Sequence, residues 1–351
     1  MIIKENYCSR NINRLISYFK VNQQCIDKSI IEQHLYCLGL LESFSKIGMN
    51  FVLSGDMAVY LMCENNLYLP NSLEIRVNKQ DYLDDYLKEA NQEFSALEYK
   101  KIKVASNYVI FEYLFSSFNN QHVKIYLNVK LEDHITTNVM SMAIDKPYLL
   151  NYERIYRVKT PSYEEVFAQA LFDFKPNFLN GKVIDNGNFP LFIAKRLADM
   201  AVLYPYLEKF YLVIYYYEKA YDNYKNVYFN ANYEYLMYDA YNSLINIYCQ
   251  GKYRPEYYAD LKKGLMEIQR YKINERLNIN KINLITAYPL LACACVYQYI
   301  DCLSEIIKPH KKMNFYNYSK INMMKQSDIF AFNVVFRAIE IFDRLEVIEE
   351  A

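Results

Sequence analysis

The fold of this chain is decided by residues 51–79, FVLSGDMAVYLMCENNLYLPNSLEIRVNK. A short apolar run ends at Ser54, Gly55 follows, and the next residues are apolar at helical spacing, which predicts a buried strand, a tight turn and a helix. The later SLEIRV alternates apolar and polar residues and predicts a second strand. A glycine at a strand-to-helix turn lets an anion approach the backbone and the helix N-terminus. The stretch therefore predicts a binding site at this turn.

The sequence around this stretch predicts a mixed α/β unit. Apolar residues at helical spacing predict helices within residues 1–24 and 28–48, the second ended by Gly48. The segment SFNNQ, residues 117–121, is typical of a hairpin turn. One amphipathic helix follows the second strand, and four further strand-like runs come after it, at residues 97–104, 108–115, 122–132 and 154–160.

Beyond residue 160 the pattern is helical. Pro161 and Ser162 precede Glu164 and Glu165, and acids in a first turn favour a helix start. A segment with glycine and proline, residues 175–190, predicts a loop. The predicted fold class is α+β, with a mixed sheet flanked by helices followed by a mostly helical domain. We place an α/β domain at residues 1–159, with 1–27 as a helical extension, and a helical domain at 160–351.

Composition limits the classes of function. Apolar residues make up 53% and charged residues 23% of the chain, as in globular proteins. Lys and Arg total 40 and Asp and Glu total 40, so no global basic field indicates nucleic acid. A local basic patch could still bind nucleic acid. The best candidate is residues 308–320, KPHKKMNFYNYSK, where aromatic residues lie among basic ones, although a solvated loop is the alternative interpretation. The four histidines are not spaced like zinc ligands.

The cysteines and the apolar runs bear on location. No signal peptide is recognised and no CxxC pair occurs, so we expect a reducing, cytoplasmic environment. The apolar runs are too short or too interrupted to span a bilayer, so no membrane partner is expected.

Nucleotidyl transfer sets chemical requirements that can be compared with this sequence. A triphosphate needs exposed backbone N–H groups and divalent metals. Two carboxylates one residue apart on a neighbouring strand face the same side and hold two Mg²⁺ about 4 Å apart, which stabilise the attacking and leaving oxygens. A third carboxylate usually comes from a later strand.

The chain resembles the AbiEii-type toxin nucleotidyltransferases, a branch of the DNA polymerase beta-like superfamily. The likeness rests on IEQHLYCLGLLESFSKIGMNFVLSGDMAVYL followed by NSLEIRV, and further on SYEEVFAQALFDF and AKRLADMAVL. It spans about residues 28–205. The resemblance implies a nucleotidyltransferase-like domain, a nucleoside triphosphate with Mg²⁺, and an antitoxin-like protein partner.

The departures from the family pattern concern the groups that would hold metal. The second motif glycine is Asp56, the paired aspartates are Glu74 and Arg76, and the third acid falls on Tyr126. The helix lysine of the family is Ala170. A guanidinium 4 Å from a divalent ion would cost roughly 8 kcal/mol at an effective dielectric near 20. If Arg76 points into the site, two-metal chemistry should be lost.

The candidate site residues follow from this comparison. Catalysis and metal binding are assigned to Glu74 and Asp56, with Asp56 as a helix cap in the alternative interpretation. The nucleotide-binding candidates are Ser54, Gly55, Arg76, Lys124 and Arg196. Lys124 and Arg196 could instead be ordinary surface residues. His34 stands where the family helix has an acid, and we interpret it as a half-buried structural residue.

Three functions are compatible with the sequence. The favoured one is a catalytically impaired homologue, a pseudoenzyme that binds a nucleotide, RNA or protein partner. The alternative is an active toxin-like nucleotidyltransferase that uses Mg²⁺ and NTP to transfer NMP to an RNA, protein or small-molecule acceptor. A second alternative is a helical protein-interaction module, since residues 240–265 resemble one tetratricopeptide repeat, although no constant period is present.

Overall fold

The structure is a computed structural model of the chain. Two sequence predictions lie largely outside the described residues, namely the turn at 117–121 and the basic segment at 308–320. The loop at 175–190 is described only at its two ends. The described residues are 9–20, 27–79, 83–94, 98–105, 107–117, 122–133, 135, 138–150, 155–176, 189–227, 232–252, 258–271, 279–304, 307, 319–322, 325 and 328–343.

The chain forms two compact units. The first comprises Met1–Ser162 with Arg270–Glu275, and the second comprises Tyr163–Gln269 with Arg276–Ala351. The first unit holds the sheet and the second is helical among the residues described.

The first unit is built around a seven-stranded sheet of order β3-β4-β5-β2-β1-β7-β6. Strand β1 is antiparallel to β2 and parallel to β7, and β2 is parallel to β5. The remaining neighbours are antiparallel. The strands are β1 Val52–Ser54, β2 Ser72–Asn78, β3 Glu98–Ala105, β4 Tyr108–Ser116, β5 His122–Glu132, β6 Val139–Ala143 and β7 Arg157–Pro161, and the helices are α1 Ser9–Lys20, α2 Lys28–Lys46, α3 Gly55–Met62 and α4 Leu83–Phe94.

The two faces of the sheet differ because side chains alternate along each strand. Leu73, Ile75 and Val77 of β2 are fully buried on one face, where α2 contacts β2 and β5. Glu74 and Arg76 lie between them and point to the other face. The polar face of β2 therefore carries the two positions that the sequence singled out.

The second unit is a group of packed helices. Helix α10 contacts α6, α8 and α12, and α5 contacts α7. Some tyrosines fill this core, such as Tyr217 and Tyr241, whereas others, such as Tyr211 and Tyr235, are exposed. The helices are α5 Tyr163–Asp173, α6 Phe189–Leu203, α7 Phe210–Val227, α8 Tyr233–Tyr248, α9 Tyr258–Glu267, α10 Ile279–Gln298, α11 Ser319–Asn322 and α12 Ile329–Phe342, with short 3-10 turns at Tyr204–Tyr206, Ile268–Tyr271 and Cys302–Ser304.

The predicted fold class is confirmed: a mixed sheet flanked by helices is followed by a mostly helical region. Helix α5 begins with Glu164 and Glu165 in its first turn, as the sequence predicted. The edge strand β6 was not predicted. Within the described ranges, no helix is long and apolar enough to cross a membrane.

Candidate functional site

The strand-to-helix turn carries a carboxylate directly over its glycine. Ser54 ends β1 and pairs with Glu74 of β2, and the Ser54 hydroxyl donates to Glu74 Oε1 at 2.9 Å. Gly55 has φ +65°, and a Cβ placed on it would lie 3.2 Å from Glu74 Oε2. Gly55 thus serves two needs at once, since it adopts a backbone conformation that L side chains disfavour and lets Glu74 approach closely.

Arg76 lies two residues further along the same face of β2 and is held by an acid from the neighbouring strand. Its Nε and Nη2 donate to Oε1 and Oε2 of Glu132, each at 2.9 Å. The Arg76 and Glu132 side chains are 12% and 15% exposed. Lys130 Nζ lies 3.2 Å from Glu132 Oε1 as well. A bidentate pair of this kind fixes the direction of the guanidinium as well as its charge.

The charge of Glu132 is secured by these two cations. Burial alone would raise the pKa of the Glu132 carboxyl, but the hydrogen bonds and charges of Arg76 and Lys130 outweigh it and lower the pKa below its ordinary value. Glu132 is therefore ionised at neutral pH, and its two oxygens are committed to cations.

The residue that pairs with Glu74 in the sheet is not the one to which the sequence comparison assigned the third acid. The sequence comparison assigned it to Tyr126, but the β2–β5 register pairs Tyr126 with Ser72 and Asn128 with Glu74. The residue beside Glu74 on the same face is therefore Asn128, whose amide is neutral. Tyr126 and Asn128 lie on the same face of β5, because side chains two residues apart on a strand point the same way. They differ in which residue of β2 they lie beside.

The donor set does not fit a site for two magnesium ions. Such a site needs several carboxylates converging on one point. Here the second position is the Arg76 guanidinium, the adjoining strand offers the Asn128 amide, and Glu132 is engaged by two cations. Across the described part of the chain, no group of three His, Cys, Asp or Glu residues is arranged to hold a metal ion. Glu74 and Asp56 remain as the acids nearest the turn.

Asp56 belongs to the first turn of α3 and is not its capping residue. The N-cap of α3 is Ser54, whose hydroxyl makes no cap hydrogen bond and donates to Glu74 instead. An acid in the first turn is favoured by the helix dipole. The prediction that Asp56 caps the helix is therefore wrong, and Asp56 is instead an acid within the first turn of α3.

Tyr108 is a further member of this face that the sequence comparison missed. It pairs with Lys130 in the sheet. Burial, and after it the negative charge of Glu74, raise the pKa of the Tyr108 hydroxyl above its ordinary value. Tyr108 is therefore a protonated phenol close enough to Glu74 to feel its charge.

The two remaining cationic candidates each pair with an acid of their own unit. Lys124 lies four residues before Asn128 on β5, and its Nζ is 3.3 Å from both carboxylate oxygens of Glu112. Arg196 belongs to α6 in the second unit, where it is buried and forms an ion pair with Asp199 at 3.2 Å. The structure thus groups Ser54, Gly55, Asp56, Glu74 and Arg76, and it separates Lys124 along the strand from them.

His34 is fully buried rather than half-buried, and its contacts are structural. Nδ1 lies 2.9 Å from the Pro70 carbonyl oxygen and Nε2 lies 2.7 Å from the Tyr148 hydroxyl. Burial lowers the pKa of His34 to about 4, so the ring is neutral at pH 7. Because a carbonyl can only accept, Nδ1 donates to Pro70 and Nε2 accepts from Tyr148.

This hydrogen-bond chain continues to helix α3. The Tyr60 and Tyr148 hydroxyl oxygens are 2.5 Å apart, and Tyr148 donates to His34, so Tyr60 donates to Tyr148. Lys146 Nζ donates to the Cys63 carbonyl at 2.9 Å and lies 4.7 Å from the Tyr60 ring centroid. The last turn of α3 is thereby fastened to the segment around Tyr148.

A sequence signal existed for the residues that were missed. In HVKIYLNVKLE the polar residues Tyr126, Asn128, Lys130 and Glu132 alternate with apolar ones, so they share one face of β5. What the sequence alone does not reveal is that β5 lies beside β2 and in which register. Asn128 and Glu132 become neighbours of Glu74 and Arg76 only through that pairing.

Comparisons with known proteins give distant structural likenesses. No family model matches this chain, and no curated protein matches it. The crystal structure of JHP933 from Helicobacter pylori aligns with a TM-score of 0.43 and 11% identity, covering 76% of this chain and 95% of that one. The crystal structure of a "putative nucleotidyltransferase from H. pylori" aligns with a TM-score of 0.45 and 9% identity, covering 80% of this chain and 100% of that one. Likenesses this distant carry no argument about function.

Proposed function

We propose that this chain is a catalytically impaired nucleotidyltransferase-like protein, related to the AbiEii-type toxins, which acts in the cytoplasm by binding a nucleotide, RNA or protein partner. The observation that carries the proposal is the bidentate Arg76–Glu132 ion pair on the strand next to the glycine turn. That pair stands where the resemblance implies a metal-binding carboxylate.

The physical argument concerns charge. A divalent ion near Glu74 would need further carboxylates, and the nearest positions on the same face supply a guanidinium and an amide. The Glu132 carboxylate could join only by leaving Arg76, and that would expose the ion to an uncompensated guanidinium. Glu74 and Asp56 alone make a poor site for a hard cation that prefers six oxygen ligands.

One observation favours the alternative, an active enzyme with altered ligands. Glu74 keeps a carboxylate beside the Gly55 turn, and Ser54 orients it by a hydrogen bond. A glutamate can bind metal in place of an aspartate. In that case Glu74 and Asp56 would bind Mg²⁺, and an NTP would donate the transferred nucleotide.

A transfer assay separates the two candidates. The purified chain is incubated with each of the four labelled nucleoside triphosphates and Mg²⁺ or Mn²⁺, with RNA, protein and small-molecule acceptors. We expect no transfer above the level of a Glu74→Ala variant. Transfer that requires a divalent ion and disappears in Glu74→Ala would overturn the proposal.

A further inference from the structure

The polar face of the sheet displays a row of lysines over half-buried acids. The β3–β4–β5 register places Lys100, Lys124 and Lys130 on the same face, and these side chains are 54%, 51% and 44% exposed. The Glu112 side chain is only 11% exposed, and Glu132 is similarly shielded. The positive groups therefore lie outside and the carboxylates lie beneath them.

Each of the two half-buried acids contacts more than one cation. Lys100 and Lys124 lie 3.2 and 3.3 Å from Glu112, and Lys130 shares Glu132 with Arg76. Burial would raise the pKa of the Glu112 carboxyl, but the hydrogen bonds and charges of Lys100 and Lys124 lower it. The acids stay ionised and hold the lysine side chains over the sheet, with the three exposed ammonium groups on the solvent side where an anion can reach them.

The spacing and the residues between the lysines suit an extended chain. Lys124 and Lys130 are six residues apart on one strand, about 20 Å at the usual rise, which is longer than a single phosphate or nucleotide. Tyr126 and Asn128 lie between them on the same face, and both are partly exposed. Aromatic rings on an open sheet stack with bases, and amides hydrogen-bond to base edges.

We propose that this lysine–tyrosine strip, formed by Lys100, Lys124, Tyr126, Asn128 and Lys130, binds single-stranded nucleic acid. The proposal rests on the proposed function, in which the chain acts by binding, and it gives that binding a surface and a ligand class. The exposed Glu98 at the start of β3 and Glu74 on β2 limit the strip at its margins. Phosphates would contact the lysines and a base would stack on Tyr126.

The test is the binding of a fluorescein-labelled 12-nucleotide RNA, and of DNA of the same sequence, followed by anisotropy without NTP or divalent ions. We expect the triple variant Lys100→Glu/Lys124→Glu/Lys130→Glu to weaken binding by at least about tenfold and to flatten the salt dependence. Stronger binding of the RNA would identify the 2′-hydroxyl as part of the ligand.

Adjacent lysines supply a matched control. Lys101 is 46% exposed and pairs with Asp84, but it points to the opposite face of β3, over the Phe111 ring. Lys100→Glu should weaken binding, whereas Lys101→Glu should leave it unchanged. Equal effects of the two substitutions would show that any positive charge on the chain suffices and would overturn the proposal.

Stacking is tested separately from charge. Tyr126→Ala should weaken binding about five- to tenfold with little change in the salt slope, and Tyr126→Phe should restore it. If the triple lysine variant fails to fold by circular dichroism, the corresponding Lys→Gln triple variant takes its place.

Two outcomes would remove the inference while leaving the proposed function in place. One is the absence of binding by the native chain at low salt. The other is displacement of a weakly bound oligonucleotide by polyglutamate at equal charge concentration, which would assign the strip to acidic protein segments. Nucleotidyl transfer in the separate assay would instead overturn the proposed function.

Discussion

The two ends of helix α3 are held in different ways. At its start, Gly55 packs under the Glu74 carboxylate, beside the Arg76–Glu132 ion pair on a partly exposed sheet face. Near its end, Tyr60 enters a buried chain of neutral groups that runs through Tyr148 to His34.

The difference teaches where this structure tolerates chemical change. A buried neutral chain has donors and acceptors that must match one by one, so a substitution leaves a partner without a hydrogen bond. A charged face tolerates a base in place of an acid when the opposite charge lies within reach, as Glu132 does for Arg76. We infer that the stability of the fold depends less on the contacts at the start of α3 than on the buried hydrogen-bond chain near its end.

The largest effect is expected at the buried end. His34→Ala removes a partner from both the Pro70 carbonyl and the Tyr148 hydroxyl and leaves a cavity, so the free energy of unfolding should fall by about 4 kcal/mol. Urea denaturation measures it. His122→Ala, at an exposed histidine on β5, should change it by less than about 0.5 kcal/mol. Equal losses for the two variants would contradict the account of the buried chain.

The pH dependence of the free energy of unfolding tests the buried hydrogen-bond chain near the end of α3 without removing the His34 side chain. The pKa of His34 is about 4 in the folded chain against an ordinary 6.5, so the folded form binds fewer protons between these values. The free energy of unfolding should therefore fall as pH drops from 6.5 to 4, by up to about 3 kcal/mol, and His34 should add no slope outside this window. His34→Gln, which does not titrate, gives the background slope. A native slope equal to that background would refute the buried neutral ring.

At the charged end the expected effect is smaller. Arg76→Ala leaves the half-buried Glu132 with Lys130 as its remaining described cation and should lower the free energy of unfolding by about 2 kcal/mol. The exposed ion pair of Lys79 with Asp133 is the matched comparison, and Lys79→Ala should cost less than about 0.5 kcal/mol. In double-mutant cycles with Glu132→Gln, Arg76→Ala should show a coupling energy and Lys79→Ala should show none. The absence of coupling between Arg76 and Glu132 would contradict the ion pair.

The smallest effect is expected at the turn itself. Gly55→Ala must adopt a left-handed backbone beside Glu74, which should cost about 1–2 kcal/mol. Gly48 has φ +73° but no atom within 4 Å of an added Cβ, so Gly48→Ala reports the backbone strain alone. The difference between the two variants measures the close approach of Glu74. A larger loss at Gly48 would contradict that approach.

The sequence predicted the elements better than the contacts between them. Residues 51–79 predicted β1, the Gly55 turn, α3 and β2, because local periodicity and a glycine specify them. The edge strand β6 was missed because a short run such as VMSMA carries little alternation and is defined by its pairing with β7.

The site shows the same division. Glu74 and Arg76 were located from strand alternation, and their shared face is confirmed. Asn128 and Glu132 were not located, because a parallel pairing between strands more than fifty residues apart sets their positions. The sequence predicted a positive charge at Arg76. It did not predict that Glu132 neutralises this charge, because the contact depends on the register between β2 and β5.

The most direct test of the central claim is the binding of Mn²⁺, followed by electron paramagnetic resonance of the free ion in titrations of the native chain and of Arg76→Asp, each with a nonhydrolysable nucleoside triphosphate analogue. The account predicts no saturable Mn²⁺ binding by the native chain beyond that of the analogue alone, and an additional site in Arg76→Asp that Glu132→Gln weakens. Saturable binding by the native chain that Glu74→Ala abolishes would contradict it, because the metal would then be held beside an intact Arg76–Glu132 ion pair.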